Sequence, residues 1–295
     1  MEFRHLRYFI AAAEELHFAR AAERLGIAAP TLTVQIQELE RSLHVRLFVR
    51  AGRSVTLTPA GALFLEEARR VLVQVEQAVS VAQRAGRGEL GRIAVGYVGS
   101  AAYAGLLQSQ LASFRAIAPD VQVAVFECPM ETLPQRLEDG DLDVAFVRMP
   151  MQIPGSLQAH TLLVDAFCVA LPAEHVLAGV SGPLQPKALA GEVFILPEQP
   201  SGTYEVARRG RFAPHIGSAP GSLLSVVTQV SVGEGVAIVP GVLRNVVDIP
   251  GVRFKSLAGS RITSSVAAIF RRHEPSPTVR RFIETLRSAQ PLVIE

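Results

Sequence analysis

Between Pro30 and Arg53 lie side chains with the chemistry to read duplex nucleic acid. Thr31, Thr33, Gln35 and Gln37 carry hydroxyls and amides that reach base edges or phosphates. Val34 offers an apolar contact to a thymine methyl, and Arg50 and Arg53 offer guanidinium groups to phosphate or to a minor groove. A second set is spread over the rest of the chain. Ser100 follows a glycine at the end of an apolar run, where backbone amides and a hydroxyl suit an anion, and Arg148 ends another run as a bidentate partner for a carboxylate. A simple helix cap at Ser100 and a surface ion pair at Arg148 are the plainer readings. No Cys/His cluster, HExxH, GxSxG or GxxxxGK[ST] occurs, and Gly233-Glu234-Gly235 precedes an apolar run instead of following one. The expectation is no metal, no cofactor and no catalytic residue.

Elements must hold these residues in place. Leu32, Ile36, Leu39 and Leu43 step by 4, 3 and 4, a helical stripe starting near Pro30, which suits a first helical position. The stripe turns Pro30, Thr33, Val34, Gln37 and Arg41 outward and leaves Gln35 on the flank. Two helices precede it. Leu6, Phe9, Ile10, Ala13 and Leu16 mark the first; Ala21, Ala22 and Leu25 mark the second, followed by Gly26 where a helix end wants a left-handed residue. Helix, glycine turn, helix is the arrangement whose second helix offers the N-terminal part of its outward edge to the major groove. Leu47–Arg50 and Val55–Thr58 flank a Gly-containing turn and predict a hairpin with Arg50 and Arg53 at its tip. Arg4, Arg7, Arg20 and Arg24 add positive charge. A small bundle with ordinary surface arginines is the plainer alternative, but the turn, the stripe and the hairpin occur together and in order.

The segments Phe18-Ala19-Arg20-Ala21-Ala22-Glu23-Arg24-Leu25, Ala28-Ala29-Pro30-Thr31-Leu32-Thr33-Val34-Gln35-Ile36-Gln37-Glu38-Leu39-Glu40, Leu47-Phe48-Val49-Arg50 and Leu57-Thr58-Pro59-Ala60-Gly61 resemble the winged helix of LysR-type transcriptional regulators. The likeness points to the subgroup that regulates aromatic-compound catabolism. It implies double-stranded promoter DNA as a partner, a small organic acid as effector, a homodimer through a linker helix, a homotetramer built from it, and contact with RNA polymerase. The family pattern usually has Ser-Gln before the proline and often Arg before the glutamine. Ala28-Ala29 and Val34 stand there in this chain, so the mode of DNA binding is implied and the preferred operator is not.

Thr58 caps a predicted helix from Pro59 to about Arg87, in which Phe64, Ala68, Val71, Val75, Ala78 and Ala82 form a heptad seam. At about 1.5 Å per residue such a helix spans roughly 40 Å. An amphipathic helix packed on its own domain is the simpler reading; a dimerisation helix ending in a glycine-rich hinge suits its length better. Strand and helix patterns then alternate, predicting a parallel sheet with covering helices. The predicted class is α/β with an all-α winged-helix N-terminal domain and a periplasmic-binding-protein-like two-lobed effector domain. The expected boundaries are 1–58 for the DNA-binding domain, 59–89 for the linker and hinge, and 90–295 for the effector domain, with lobe I at 92–160 and 268–295 and lobe II at 161–267. Ligands of open α/β sheets sit outside the carboxyl ends of strands, which nominates Ser100, Met130, Arg148 and Pro197, with Thr228 on a predicted helix that borders the same cleft. LysR regulators resembling this one often place Thr near Met130, so a different or less polar effector is implied.

The 295 residues hold 29 Lys+Arg and 27 Asp+Glu, 49% hydrophobic and 19% charged residues, which excludes a disordered polar chain. No apolar run approaches the ~20 residues of a membrane helix, and no secretion signal is evident, so a cytoplasmic protein without membrane contact is expected. Cys128 and Cys168 read as reduced core residues. Rival readings are an enzyme on the same scaffold, a solute-binding protein for transport and a DNA-binding protein with no effector. The missing motifs oppose the first and the attached winged helix opposes the second.

Overall fold

The computed structural model describes residues 1–51 and 54–294, so Arg53 lies outside the described residues. Two compact units divide the chain, Met1–Gln83 and Arg84–Glu295.

The first unit contains α1 (Phe3–Glu15), α2 (Phe18–Leu25), α3 (Ala29–Leu43), the hairpin β1 (Phe48–Ala51) and β2 (Ser54–Leu57), and most of α4 (Pro59–Gly86). Gly26 ends α2 with φ of 67°, and the Ile27 amide donates back to the Ala22 carbonyl, so the chain reverses tightly into α3. Pro30 sits in the first turn of α3, where no amide donor is needed. Leu32, Ile36 and Leu39 are fully buried; Leu43, at the end of the stripe, is half-buried. The Phe9 ring lies 5.4 Å from Phe48 and 5.0 Å from Phe64, which joins α1, the hairpin and α4 in one core. Buried Glu40 accepts from the Leu47 amide at 2.7 Å and the Phe48 amide at 3.1 Å, with Arg46 at 3.1 Å, and so straps α3 to the wing.

Thr58 Oγ1 accepts from the Gly61 amide at 2.9 Å, the expected cap of α4. Gly61 faces the Leu47 carbonyl oxygen so closely that an added Cβ would stand 2.1 Å from it. Gly61→Ala is therefore expected to push α4 off the wing and cost about 1–3 kcal/mol, read as a lowered melting temperature; an unchanged melt would show that the helix shifts freely. The seam of α4 divides. Phe64 and Ala68 pack on the core of this unit, whereas Val71, Ala78 and Ala82 are exposed.

The second unit runs β3 (Gly91–Tyr97), α5 (Gly99–Tyr103), α6 (Leu106–Ile117), β4 (Val121–Glu127), α7 (Leu133–Glu138), β5 (Val144–Met149), β6 (Leu157–Pro172), β7 (Val193–Pro197), α8 (Ser201–Gly210), β8 (His215–Gly221), α9 (Leu223–Ser231), β9 (Ala237–Pro240), α10 (Leu243–Val246), β10 (Val252–Ser256), β11 (Thr263–Arg271), α11 (Pro277–Ser288) and β12 (Leu292–Val293). The sheet is mixed, not wholly parallel as expected. β4, β3 and β5 are parallel, but β11 is antiparallel to both β5 and β6, and β9 and β10 pair antiparallel with β6. Among the second-lobe strands, β7 and β8 are parallel.

β6 serves both lobes. Leu157, Leu162 and Leu163 belong to the core of lobe I, and Phe167, Val169 and Leu171 to lobe II. β11 returns beside it, with Val266, Ala268 and Ile269 in the lobe I core. The chain thus crosses near Asp165, inside β6, and near Ser264, at the start of β11, a few residues from the expected 160/161 and 267/268 boundaries. β8, β10 and β12 were not legible as strands, and the helix expected after β3 is two helices parted at Gly105, whose φ is 70°.

Candidate functional site

On α3, Pro30, Thr31, Val34 and Gln37 form an exposed edge, with Val34 49% accessible. Thr33 and Gln35 are half-buried. Thr33 Oγ1 donates to the Ala29 carbonyl at 3.1 Å, and Gln35 Nε2 donates to Glu38 Oε2 at 2.8 Å. The Thr33 proton is thus engaged by its own helix, leaving oxygen lone pairs for a base donor. Thr33→Ala is expected to lower affinity for a specific duplex by up to about tenfold and to leave a scrambled duplex unaffected. Equal losses on both would remove the base contact.

Arg50 is not at the very tip of the hairpin. It pairs with Val55, one register inside the Ala51–Ser54 pair, and its guanidinium lies 4.4 Å from the centre of the Phe18 ring. The wing is thereby pinned to α2 by a cation–π contact. Arg4, Arg20 and Arg24 are paired with Glu2, Glu15 and Glu14 at 2.9, 3.4 and 2.8 Å, so they add less free charge than expected.

The second unit holds a cavity of about 660 Å³ between its lobes. Lobe I contributes Val98–Ser100 after β3, Glu127–Glu131 from the end of β4 onward, and Arg148 near the end of β5; lobe II contributes Leu196–Pro200 from the end of β7 onward, the turn from β8 into α9, and Pro240. These are carboxyl ends of strands, where open α/β sheets bind ligands. Ser100, Met130, Arg148 and Pro197 all line this cavity. Thr228 does not. Val226, Val227 and Val230 turn the inner face of α9 to the core, which places Thr228 on the outer face with its hydroxyl donating to the Leu224 carbonyl at 2.8 Å. α9 reaches the cavity through Leu223 instead.

Arg148 is not an open cation. It is 2% exposed; its Nη1 donates to Asp165 Oδ1 at 2.6 Å and to Ser264 Oγ at 3.1 Å, and its Nε donates to Ser100 Oγ at 3.2 Å. Burial pulls its pKa down and Asp165 opposes that, and a guanidinium keeps its charge in either case. Ser264 Oγ lies 3.1 Å from Gln199 Oε1, which ties the hinge residues to lobe II. Among the described residues that line this cavity, two carry a buried donor with no hydrogen-bond partner: Arg148 at Nη2 and Gln199 at Nε2. They come from opposite lobes and their residues border the same cavity.

The mouth differs in character. The Glu198 carboxylate accepts from the Met130 amide across the lobes. Burial raises the Glu198 pKa, Glu131 and Glu127 raise it further, and the Met130 amide opposes them. Cys128 lines the cavity with Arg136 Nη1 at 2.8 Å from its sulfur. Cys168 is a core thiol whose pKa burial pushes up to about 12. Among the described residues no group of His, Cys, Asp and Glu is arranged to hold a metal ion.

Asp165, Ser264, Gln199 and Glu198 were not singled out from the sequence. Asp165 had a signal, being a lone charge inside the apolar run Leu162–Leu171, which implies a buried partner. Glu198 and Gln199 directly follow the strand that ends at Pro197, so the strand-end rule applied with more residues would have reached them.

The model for the bacterial regulatory helix-turn-helix protein of the lysR family matches residues 3–62, and the model for the LysR substrate binding domain matches residues 86–291. The chain belongs to the LysR family. It is a LysR-family DNA-binding transcriptional regulator with a substrate-binding domain. It is 34% identical over 289 residues to YnfL, an uncharacterized HTH-type transcriptional regulator of Escherichia coli (strain K12), covering 96% of each chain. It is also 34% identical over 286 residues to the HTH-type transcriptional regulator XapR of the same organism, covering 95% of this chain and 96% of the other. The crystal structure of full-length CbnR complexed with its target DNA superposes with a TM-score of 0.81 at 28% identity, covering 98% of this chain and 99% of that one. The LysR-family chain has, among its described residues, no helix long and apolar enough to cross a membrane.

Proposed function

We propose that this regulator binds promoter DNA through the exposed edge of α3 and the wing, and that a small carboxylate seated between the lobes of its second unit modulates promoter activity. The observation behind the effector half is the pair of unpartnered buried donors, Arg148 Nη2 and Gln199 Nε2, one from each lobe on one cavity. Buried donors left unpaired cost about 1–3 kcal/mol each, and a carboxylate bridging them would relieve both while favouring one interlobe angle. The size of that bias equals the effector's differential affinity for the two arrangements. Phe167, Pro129, Leu196 and Pro240 give the cavity apolar walls suited to a ring, which supports an aromatic-derived acid.

Pro30, Thr31, Thr33, Val34, Gln35, Gln37 and Arg50 are the proposed DNA contacts, together with Arg53, which lies outside the described residues. Ser100, Met130, Arg148 and Pro197 are proposed at the effector. The protein acts in the cytoplasm, catalyses no reaction, and contacts RNA polymerase at the promoter. The exposed part of the α4 seam, with Val71 43% accessible, supports a homodimer through this helix and a homotetramer built from two such pairs. Val71→Asp is expected to shift the mass seen by light scattering toward monomer; an unchanged mass would place the interface elsewhere.

The reading is tested by footprinting the regulator on the DNA upstream of its own gene at low ionic strength, with and without a panel of aromatic acids. Protection that changes with one acid supports it. Absence of any protection overturns the DNA half, and protection indifferent to every acid overturns the effector half.

A further inference from the structure

Three carboxylates, Glu127, Glu131 and Glu198, line the same cavity as Arg148, whose charge is answered by Asp165. A ligand offering only a carboxylate would meet a cavity whose unbalanced charge is negative. Glu127 sits close to the end of β3: its Oε1 lies 3.2 Å from where a Cβ on Gly99 would stand. Glu198 is fixed at the mouth by the Met130 amide. The buried donors Arg148 Nη2 and Gln199 Nε2 still call for an acceptor. The cavity is therefore lined by two kinds of polar residue: buried Arg148 and Gln199, which carry unpaired donors, and the more exposed Glu127, Glu131 and Glu198, which carry acceptors.

Building on the cleft reading above, we infer that the effector is an amine-bearing carboxylate, its acid group on Arg148 and Gln199 and its ammonium facing Glu198 and Glu127. An ammonium supplies three donors and a charge opposite to that of the glutamates, and hydrogen bonds between charged partners are stronger than neutral ones. Desolvation makes a free Glu198 carboxylate unfavourable, and a cation beside it offsets that. Apolar walls between the two ends fit a short hydrocarbon spacer.

The test is calorimetric titration of the full-length chain with matched probes: para-aminomethylbenzoate against para-methylbenzoate, and δ-aminovalerate against valerate, each at up to millimolar concentration. An amine-bearing probe is expected to bind about tenfold or more tighter than its methyl-ended partner. In Glu198→Gln, which keeps an acceptor for the Met130 amide, that advantage should shrink several-fold, and Glu127→Gln should shrink it too. A methyl-ended acid that binds as well as its amine partner overturns the ammonium assignment and leaves the carboxylate cleft standing. An advantage untouched by either substitution overturns it as well. No binding by either series overturns the cleft reading together with it.

Discussion

Arg148→Met is expected to destabilise the effector-binding unit by about 3–5 kcal/mol, because Asp165 would remain buried without its cation. Both side chains are about 2% exposed and sit 2.6 Å apart, so water cannot take over the role of either. Arg148→Glu is worse, since two carboxylates would then share a dry site. It would unfold the lobe junction instead of merely silencing the effector response. The double change Arg148→Met with Asp165→Leu removes both charges and is expected to recover most of the loss, as buried ion pairs exchanged for apolar pairs commonly do. Urea denaturation of wild type, both single variants and the double variant reads the coupling directly. A single variant as stable as wild type would mean that the pair is hydrated in solution. The double variant should fold and yet fail to bind a carboxylate, which separates the structural role of Arg148 from its binding role.

The second large effect is expected on DNA. Val34 is 49% exposed on the outward edge of α3 and packs in no core, so Val34→Glu leaves the fold intact. On DNA it brings a carboxylate toward the phosphates and base acceptors of the groove. Like-charge juxtaposition at an interface costs several kcal/mol, an affinity loss on the order of a hundredfold or more. Val34→Gln, of similar shape without charge, should bind far better than the glutamate variant. Titrating both against upstream DNA at two salt concentrations checks this. If the glutamate variant bound like wild type, the α3 edge would not lie in the groove.

Much of the architecture was legible because its signals are local. The 4-3-4 stripe of Leu32, Ile36, Leu39 and Leu43, Gly26 at the turn and Thr58 before Pro59 each act over a few residues, and each stands in the structure where its chemistry requires. The long helix was legible for the same reason, although its seam holds two environments that periodicity cannot tell apart: Ala68 is buried in its own unit while Val71 is exposed. The mixed sheet was not legible, since a strand's direction depends on which partner it meets. β6 finds β11, β9, β10 and β12, all distant in the chain.

The candidate site divides along the same line. Strand ends nominated Ser100, Met130, Arg148 and Pro197 for the cavity, and helix phase, which short patterns fix poorly, misplaced Thr228. By itself, the sequence determined that a helix-turn-helix unit, a long helix and an α/β unit follow one another, because capping, periodicity and turn chemistry operate between near neighbours. Only the tertiary structure decided the state of Arg148. Asp165, Ser264 and Gln199 come from three different segments, and their convergence in a dry hinge turns an apparently free cation into a neutralised pair with one donor to spare. Whether a charge is free or already answered depends on its distance to another charge and on the water between them, and folding sets both.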